Sequence, residues 1–211
     1  MRVSASAQRT RQREQREATR REIVYAADRF LRQRPYRELS VEVLMADTGL
    51  TRTAFYRHFD DTRDLVLRLL DEVAHDLKTV AERWSASAGA GYPVAGQQAL
   101  AAVVDFFVRH GPLVRAIAEA AVTDEQIERG YRETLDGLIE MTAWAIERVA
   151  AEGKVQVPDS RAMARALNLM NETYLLQEFG REPFGDPKVA LATLETVWLR
   201  VLRPAGAEPA R

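Results

Sequence analysis

Residues 49–59 read Gly-Leu-Thr-Arg-Thr-Ala-Phe-Tyr-Arg-His-Phe. Arg52, Thr53, Tyr56, Arg57 and His58 carry donors of the kind that phosphate oxygens and base edges accept. Phe55 and Phe59 are four residues apart, so on a helix they share one face and can be buried together. Arg52 with Tyr56, and Thr53 with Arg57, repeat that spacing on other faces. A short helix with aromatics inward and cations and hydroxyls outward suits the major groove of duplex DNA. Such a helix reads bases mainly with its N-terminal residues, which points to Arg52 and Thr53 for base contact. Tyr56, Arg57 and His58 then fall to phosphates. A two-helix corner with merely solvated Arg and Tyr shares the spacing, so the surroundings must decide between the two.

The flanking residues build a helix-turn-helix. Ser40 can cap a helix opening Val41-Glu42-Val43-Leu44 by accepting from a free N–H of its first turn. Thr48-Gly49 ends that helix, and Gly supplies the backbone freedom of a tight turn. Thr51 can cap the second helix. Helices of one or two turns add little to a core unless the corner itself has a use. Charge favours DNA as well. Residues 1–70 hold 15 Arg against 10 acidic residues, while residues 71–211 hold 15 Lys+Arg against 21 acidic ones. The net −1 thus hides a basic head on an acidic body. Arg9, Arg11, Arg13, Arg16, Arg20 and Arg21 supply the cations that sequence-independent DNA affinity requires.

A second constellation lies further on. Asn168, Asn171 and Glu172 share a helix face, which Leu175 and Phe179 continue. Met163, Leu167, Met170 and Tyr174 form an apolar stripe on another face. A helix of this kind is covered twice, and a ligand cavity on one side with a partner on the other would explain it. Mutual hydrogen bonding of the polar three inside a helical core is the competing explanation.

Enzymatic chemistry has little support. His58, His75 and His110 are scattered and make no metal-ligand spacing. No Ser/His/acid arrangement can be named, and Gly89-Ala-Gly91 lacks the Lys and Ser/Thr of a phosphate loop. No cofactor is implied. The chain has no Cys, hence no disulfide framework. The Arg-rich start shows no signal-peptide pattern, and no run approaches the apolar length of a membrane span. The expected location is cytoplasmic.

At 211 residues with 46% apolar content, the chain can bury a sizeable core. The periodicity predicts an all-α fold of nine helices, three in a head (1–61) and six in a body (62–211). Residues 1–11 read as an arm. Helices are expected over about 12–34, where Pro35 ends the first, then 41–48, 52–58 and 62–86. A Gly/Ser/Ala-rich loop follows over 85–93. Further helices are expected over 94–110, 113–122 after a stop at Gly111-Pro112, 123–152 opened by a Thr123–Gln126 capping box, 159–179 and 187–203. The final helix carries two apolar stripes, one of Leu191, Leu194, Trp198 and Val201, the other of Val189, Thr193, Thr196 and Val197. A terminal helix apolar on two sides suits a homodimer.

The Gly49–Phe59 signature and this helix order resemble the TetR family of bacterial repressors. The segment around Asn168, Asn171 and Glu172 is similar to the pocket helix of the branch containing the mycobacterial ethionamide-activator repressor. The resemblance implies a homodimer that binds operator DNA and is released by a small, largely apolar effector. It also implies a pocket lined by Ala99, Ala102, Phe106, His110, Tyr131, Leu135, Leu138, Met141, Thr142, Leu176 and Trp198, besides Asn168, Asn171, Glu172 and Leu175. Aromatics expected in that tunnel are replaced here by Ala99, His110, Leu138 and Met141, so the cavity should differ in shape. The family often places a phosphate-binding Lys at the start of the fourth helix. Here Thr62 stands there, after Asp60-Asp61, and Arg63 is the substitute. A constitutive DNA-binding protein with a vestigial cavity remains the alternative.

Overall fold

The computed structural model describes residues 2–87 and 94–202. Eight α-helices occur among them: α1 (Arg2–Gln33), α2 (Val41–Ala46), α3 (Arg52–Tyr56), α4 (Thr62–Ser87), α5 (Val94–Ala121), α6 (Glu125–Ala151), α7 (Ser160–Phe179) and α8 (Pro187–Val201). A 3-10 turn at Tyr36–Glu38 follows Pro35. The fold is all-α, as the periodicity predicts.

Two expectations need correction. The segment expected as an arm is helical from Arg2. Its Arg, Gln, Glu and Ala residues are good helix formers, and no Gly or Pro interrupts them. The stop expected at Gly111-Pro112 is absent, so two predicted helices are the single α5 and the predicted nine become eight. Pro112 removes one backbone donor from the ladder. Packing outweighs that loss, because Val104, Phe106 and Phe107 before it and Leu113, Val114 and Ile117 after it are all buried. Gly111 also has no side chain to hold α7 away: a Cβ there would stand 2.3 Å from the Phe179 carbonyl oxygen. Of the predicted 85–93 loop, the first residues end α4 and residues 88–93 lie outside the described residues, as does the tail from 203.

The caps explain most boundaries. Ser40 Oγ accepts from the Val43 N–H at 3.2 Å and Thr51 Oγ1 from the Ala54 N–H at 3.2 Å. Gly49 makes the turn between α2 and α3 at φ 69°. Asp159 and Asp186 cap α7 and α8. The cap of α6 is Asp124, one residue after the predicted Thr123, whose hydroxyl instead donates to the Ala120 carbonyl at the end of α5. The carboxylate of Asp124 accepts from two N–H groups, Gln126 and Ile127, and suits the positive end of a 27-residue helix.

Around α3 the core is built from Ile23, Ala27, Phe30 and Leu31 of α1, Leu44 and Met45 of α2, Phe55 and Phe59, and Leu65 and Leu69 of α4. The apolar stripe of α4 continues through Val73 to Leu77, where it meets α5 and α6. Gly130 brings α6 close to α4, since a Cβ there would stand 3.1 Å from Leu70 Cδ2. No helix among the described residues is long and apolar enough to cross a membrane.

Candidate DNA interface and ligand cavity

α3 is short and held from below. Phe55 is 0% exposed and its ring lies 5.6 Å from that of Phe59. Those anchors turn Arg52, Thr53, Tyr56 and Arg57 outward, all exposed, with Tyr56 57% exposed. A tyrosine that open, in direct ring contact with a buried Phe, has a fixed stem and a free hydroxyl. Arg52 Nη1 meets Glu42 of α2 at 2.8 Å. Both partners are well exposed, so the pair contributes little stability and a phosphate or base can displace it.

His58 sits differently from its neighbours. It is half-buried and faces α1. Burial first, then Arg16 and Arg20, push its imidazole below its ordinary pKa, with Arg57 adding to the effect. Arg20 also stands over the Phe59 ring at 5.9 Å. Arg16, Arg20 and Arg57 thus form one cationic patch around a neutral imidazole.

Arg63 is already engaged. Its Nε lies 2.5 Å from Asp124 Oδ2, at the cap of α6, and its Nη1 reaches Gln126 and Asp61 at 3.5 and 3.7 Å. Burial raises the Asp124 pKa, but the bonds from Arg63 and the Ile127 and Gln126 amides outweigh it and hold the carboxyl below its usual range. The side chain expected to meet a phosphate therefore ties the start of α4 to the start of α6. The reason is Asp124, whose approach, 61 residues away in sequence, has no local signal.

The ligand candidates converge on a cavity of about 110 Å³ between α4, α5, α6, α7 and α8. Ala99, Phe106, Tyr131, Leu135, Leu138, Thr142, Asn168, Asn171, Glu172 and Trp198 line it as expected. Leu70, Val73, Leu77 and Val80 of α4 join them, with Gly96, Leu100, Val103, Phe107 and Val114 of α5 and Thr134 of α6. Apolar residues along α4 do not say in the sequence whether core or cavity faces them. Ala102, Met141, Leu175 and Leu176 are not in the lining. Ala102 is turned about 100° from Val103, and Met141 likewise from Thr142. On α7 the cavity closes after Glu172, leaving Leu175 in solid core at 0% exposure. His110 faces the opposite groove, where its Nε2 lies 3.6 Å from Asp76 of α4, and its ring lies against Phe106.

Each polar side chain of the described lining has at least one hydrogen-bond partner. Asn168 Nδ2 donates to Thr142 Oγ1 at 3.0 Å and to the Ala164 carbonyl at 2.9 Å. Trp198 Nε1 donates to Asn171 Oδ1 at 3.1 Å. The Tyr131 hydroxyl donates to Glu172 Oε1. Burial, then the adjacent Glu172 carboxylate, drive the Tyr131 pKa far above its ordinary value, so it is a neutral donor. The cavity is smaller than the ~300–1,000 Å³ of most ligand sites, so its walls must move before a large molecule enters.

Residues 96–202 match the family model described as Transcriptional regulator EthR, C-terminal domain, and residues 23–69 match that of bacterial regulatory proteins of the tetR family. The HTH-type transcriptional regulator EthR of Mycobacterium tuberculosis (strain ATCC 25618 / H37Rv) is 28% identical over 183 residues, covering 84% of this chain and 83% of that protein. The EthR of Mycolicibacterium smegmatis is 28% identical over 186 residues, covering 84% and 82%. A solved tetR-family regulatory protein from Rhodococcus RHA1 superposes with a TM-score of 0.73 at 17% identity, over 89% of this chain and 98% of its own. One from Rhodobacter sphaeroides gives 0.70 at 17% identity, over 86% and 97%. At those identities the structural likeness is one of fold.

Proposed function

This chain belongs to the TetR family of helix-turn-helix, DNA-binding transcriptional regulators, and from that membership we propose a ligand-responsive repressor that binds operator DNA as a homodimer and is released by a small, largely apolar effector. One observation carries the reading: α4 serves both sites. Its first residue, Thr62, follows Tyr56 of α3 within one short turn, and Leu70, Val73, Leu77 and Val80 further along line the cavity. A molecule that parts α4 from α5 shifts the helix that carries α3. Release follows only if the effector binds the shifted state more tightly than the DNA-bound one. The division into a head (1–61) and a body (62–211) follows the same logic, with α4 as lever.

The homodimer rests on α7 and α8. Ala162, Ala166, Leu169 and Thr173 are exposed along α7, and Val189, Ala192, Thr193, Thr196 and Leu199 along α8. Leu194 and Trp198, on the opposite face of α8, are buried. These small and apolar exposed stripes suit self-pairing about a two-fold axis. A dimer then presents two α3 helices to one DNA face, about 34–36 Å apart or more for spread half-sites.

Titrating small apolar molecules into a complex of the full chain with DNA flanking its own gene tests the reading. An effector should lower DNA affinity, and Asn171→Leu should change the effector concentration needed. The constitutive alternative is favoured by the narrow cavity and by the mutual pairing of its polar groups. Failure of every cavity-binding molecule to loosen DNA would decide for it.

A further inference from the structure

The described lining of the cavity carries charge of one sign. Among the described lining residues Glu172 is the one acidic side chain, and no Lys, Arg or His is among them. Glu172 Oε1 accepts from the Tyr131 hydroxyl. Its Oε2 has no hydrogen bond or ion pair to another described residue. Tyr131 is a neutral donor, so it bonds the carboxylate without balancing its charge. A carboxylate in an apolar enclosure is costly unless a cation pairs with it.

The neighbouring groups suit a cation with several N–H donors. Asn168 lies one turn before Glu172 on the same face, with its Nδ2 committed to Thr142 and Ala164. Its Oδ1 has no hydrogen bond to another described residue, leaving an acceptor beside the carboxylate. Phe106 and Trp198 contribute aromatic rings, a class of group that attracts cations, and the described lining side chains of α4 and α5 are hydrocarbon. The volume of about 110 Å³ is near that of a dry void that accommodates a single benzene ring, ~150 Å³.

We propose that the cavity selects small apolar molecules bearing a protonated amine, with Glu172 as the counter-ion. The proposal rests on the reading of this cavity as the effector site and names the effector's class. A neutral alcohol of the same shape can hydrogen-bond to Glu172 but not neutralise it. A carboxylate of the same shape brings like charge.

Three one-ring probes separate these cases: 2-phenylethylamine, 2-phenylethanol and phenylacetate. Each is titrated against the full-length protein by ligand-observed NMR at fixed ionic strength. The amine should bind at least tenfold more tightly than the alcohol, with phenylacetate weakest. Glu172→Gln should bring the amine within threefold of the alcohol. Tyr131→Phe, which removes the hydroxyl but not the charge, should keep or widen the preference for the amine, and guards against a misfolded Gln variant. An alcohol equal to the amine in the wild type overturns the proposal, as does an amine preference that survives Glu172→Gln. Equal binding of all three probes leaves an effector cavity and removes the charge selection alone. No binding by any of them removes both.

Discussion

Arg63 in the first turn of α4 and Asp124 at the cap of α6 meet at 2.5 Å, joining the base of α4 to α6, a wall of the cavity. The pair holds α4 against α6 just below the point where cavity residues begin.

Breaking this link should separate stability from coupling. Asp124→Ala removes both the cap and the ion pair, and a lost N-cap costs about 0.5–2 kcal/mol in thermal or urea unfolding. Asp124→Asn keeps a capping oxygen and should cost less. Both should weaken the dependence of operator affinity on effector. The Asp124 pKa is lowered in the folded state, so its contribution is present above the unfolded value of about 3.9 and is lost as pH falls through the folded value. The link should therefore be intact at neutral pH and fail only below about pH 4. Unaltered effector coupling in both variants would count against the lever.

On the proposed reading, Glu42 should compete with DNA for Arg52. Glu42→Gln should raise operator affinity modestly by freeing the guanidinium from its 2.8 Å partner and removing an anion near the phosphates. Arg52→Ala should lower affinity by about 1–3 kcal/mol for a base contact and reduce the salt slope. Electrophoretic or anisotropy titrations at two salt concentrations check both.

On the proposed reading, His58 should give the DNA complex a pH dependence. Its folded pKa is lowered, so the neutral form contributes stability above the unfolded value of about 6.5, and that contribution is lost as pH falls. Phosphates beside Arg57 and His58 should reverse the local field and raise the pKa, so binding should take up a proton. Operator affinity should rise between pH 7.5 and 6, by no more than about tenfold per unit for one proton. His58→Gln should flatten the profile. A profile that keeps its slope in the variant would place the titrating group elsewhere.

Gly111 sets the distance between α5 and α7. Gly111→Ala forces a Cβ to within 2.3 Å of the Phe179 backbone oxygen, which cannot swing aside as a side chain can. Thermal unfolding should show a loss of about 1–3 kcal/mol. Trp198 fluorescence should also report an altered cavity, since Phe106 and Phe107 lie one turn before Gly111.

What the chain reveals in one dimension follows from the range of the forces involved. Ser40, Thr51, Asp159 and Asp186 cap the helices they precede, and Phe55 with Phe59 marks the buried face of α3, because these contacts span only a few residues. The pairing of Arg63 with Asp124 and of Tyr131 with Glu172 joins residues 61 and 41 positions apart, and nothing local announces either. Gly111-Pro112 has the form of a stop, yet the buried residues on both sides keep α5 continuous. The cavity lining was readable in part. Asn168, Asn171 and Glu172 stand out as polar groups on an apolar helix, whereas Leu70, Val73 and Leu77 look like any core stripe until the space in front of them is seen. His110 shows the converse, since one residue's rotation around α5 turns it to Asp76 and away from the cavity.

Footprinting the full-length protein, without effector, on DNA flanking its own gene at about 0.15 M ionic strength tests the central claim most directly. The account predicts two protected patches on one face of the duplex, and a Tyr56→Ala variant weakened by about 1–3 kcal/mol. Protection of no fragment over bulk DNA, or wild-type affinity in Tyr56→Ala together with Arg52→Ala, would contradict it.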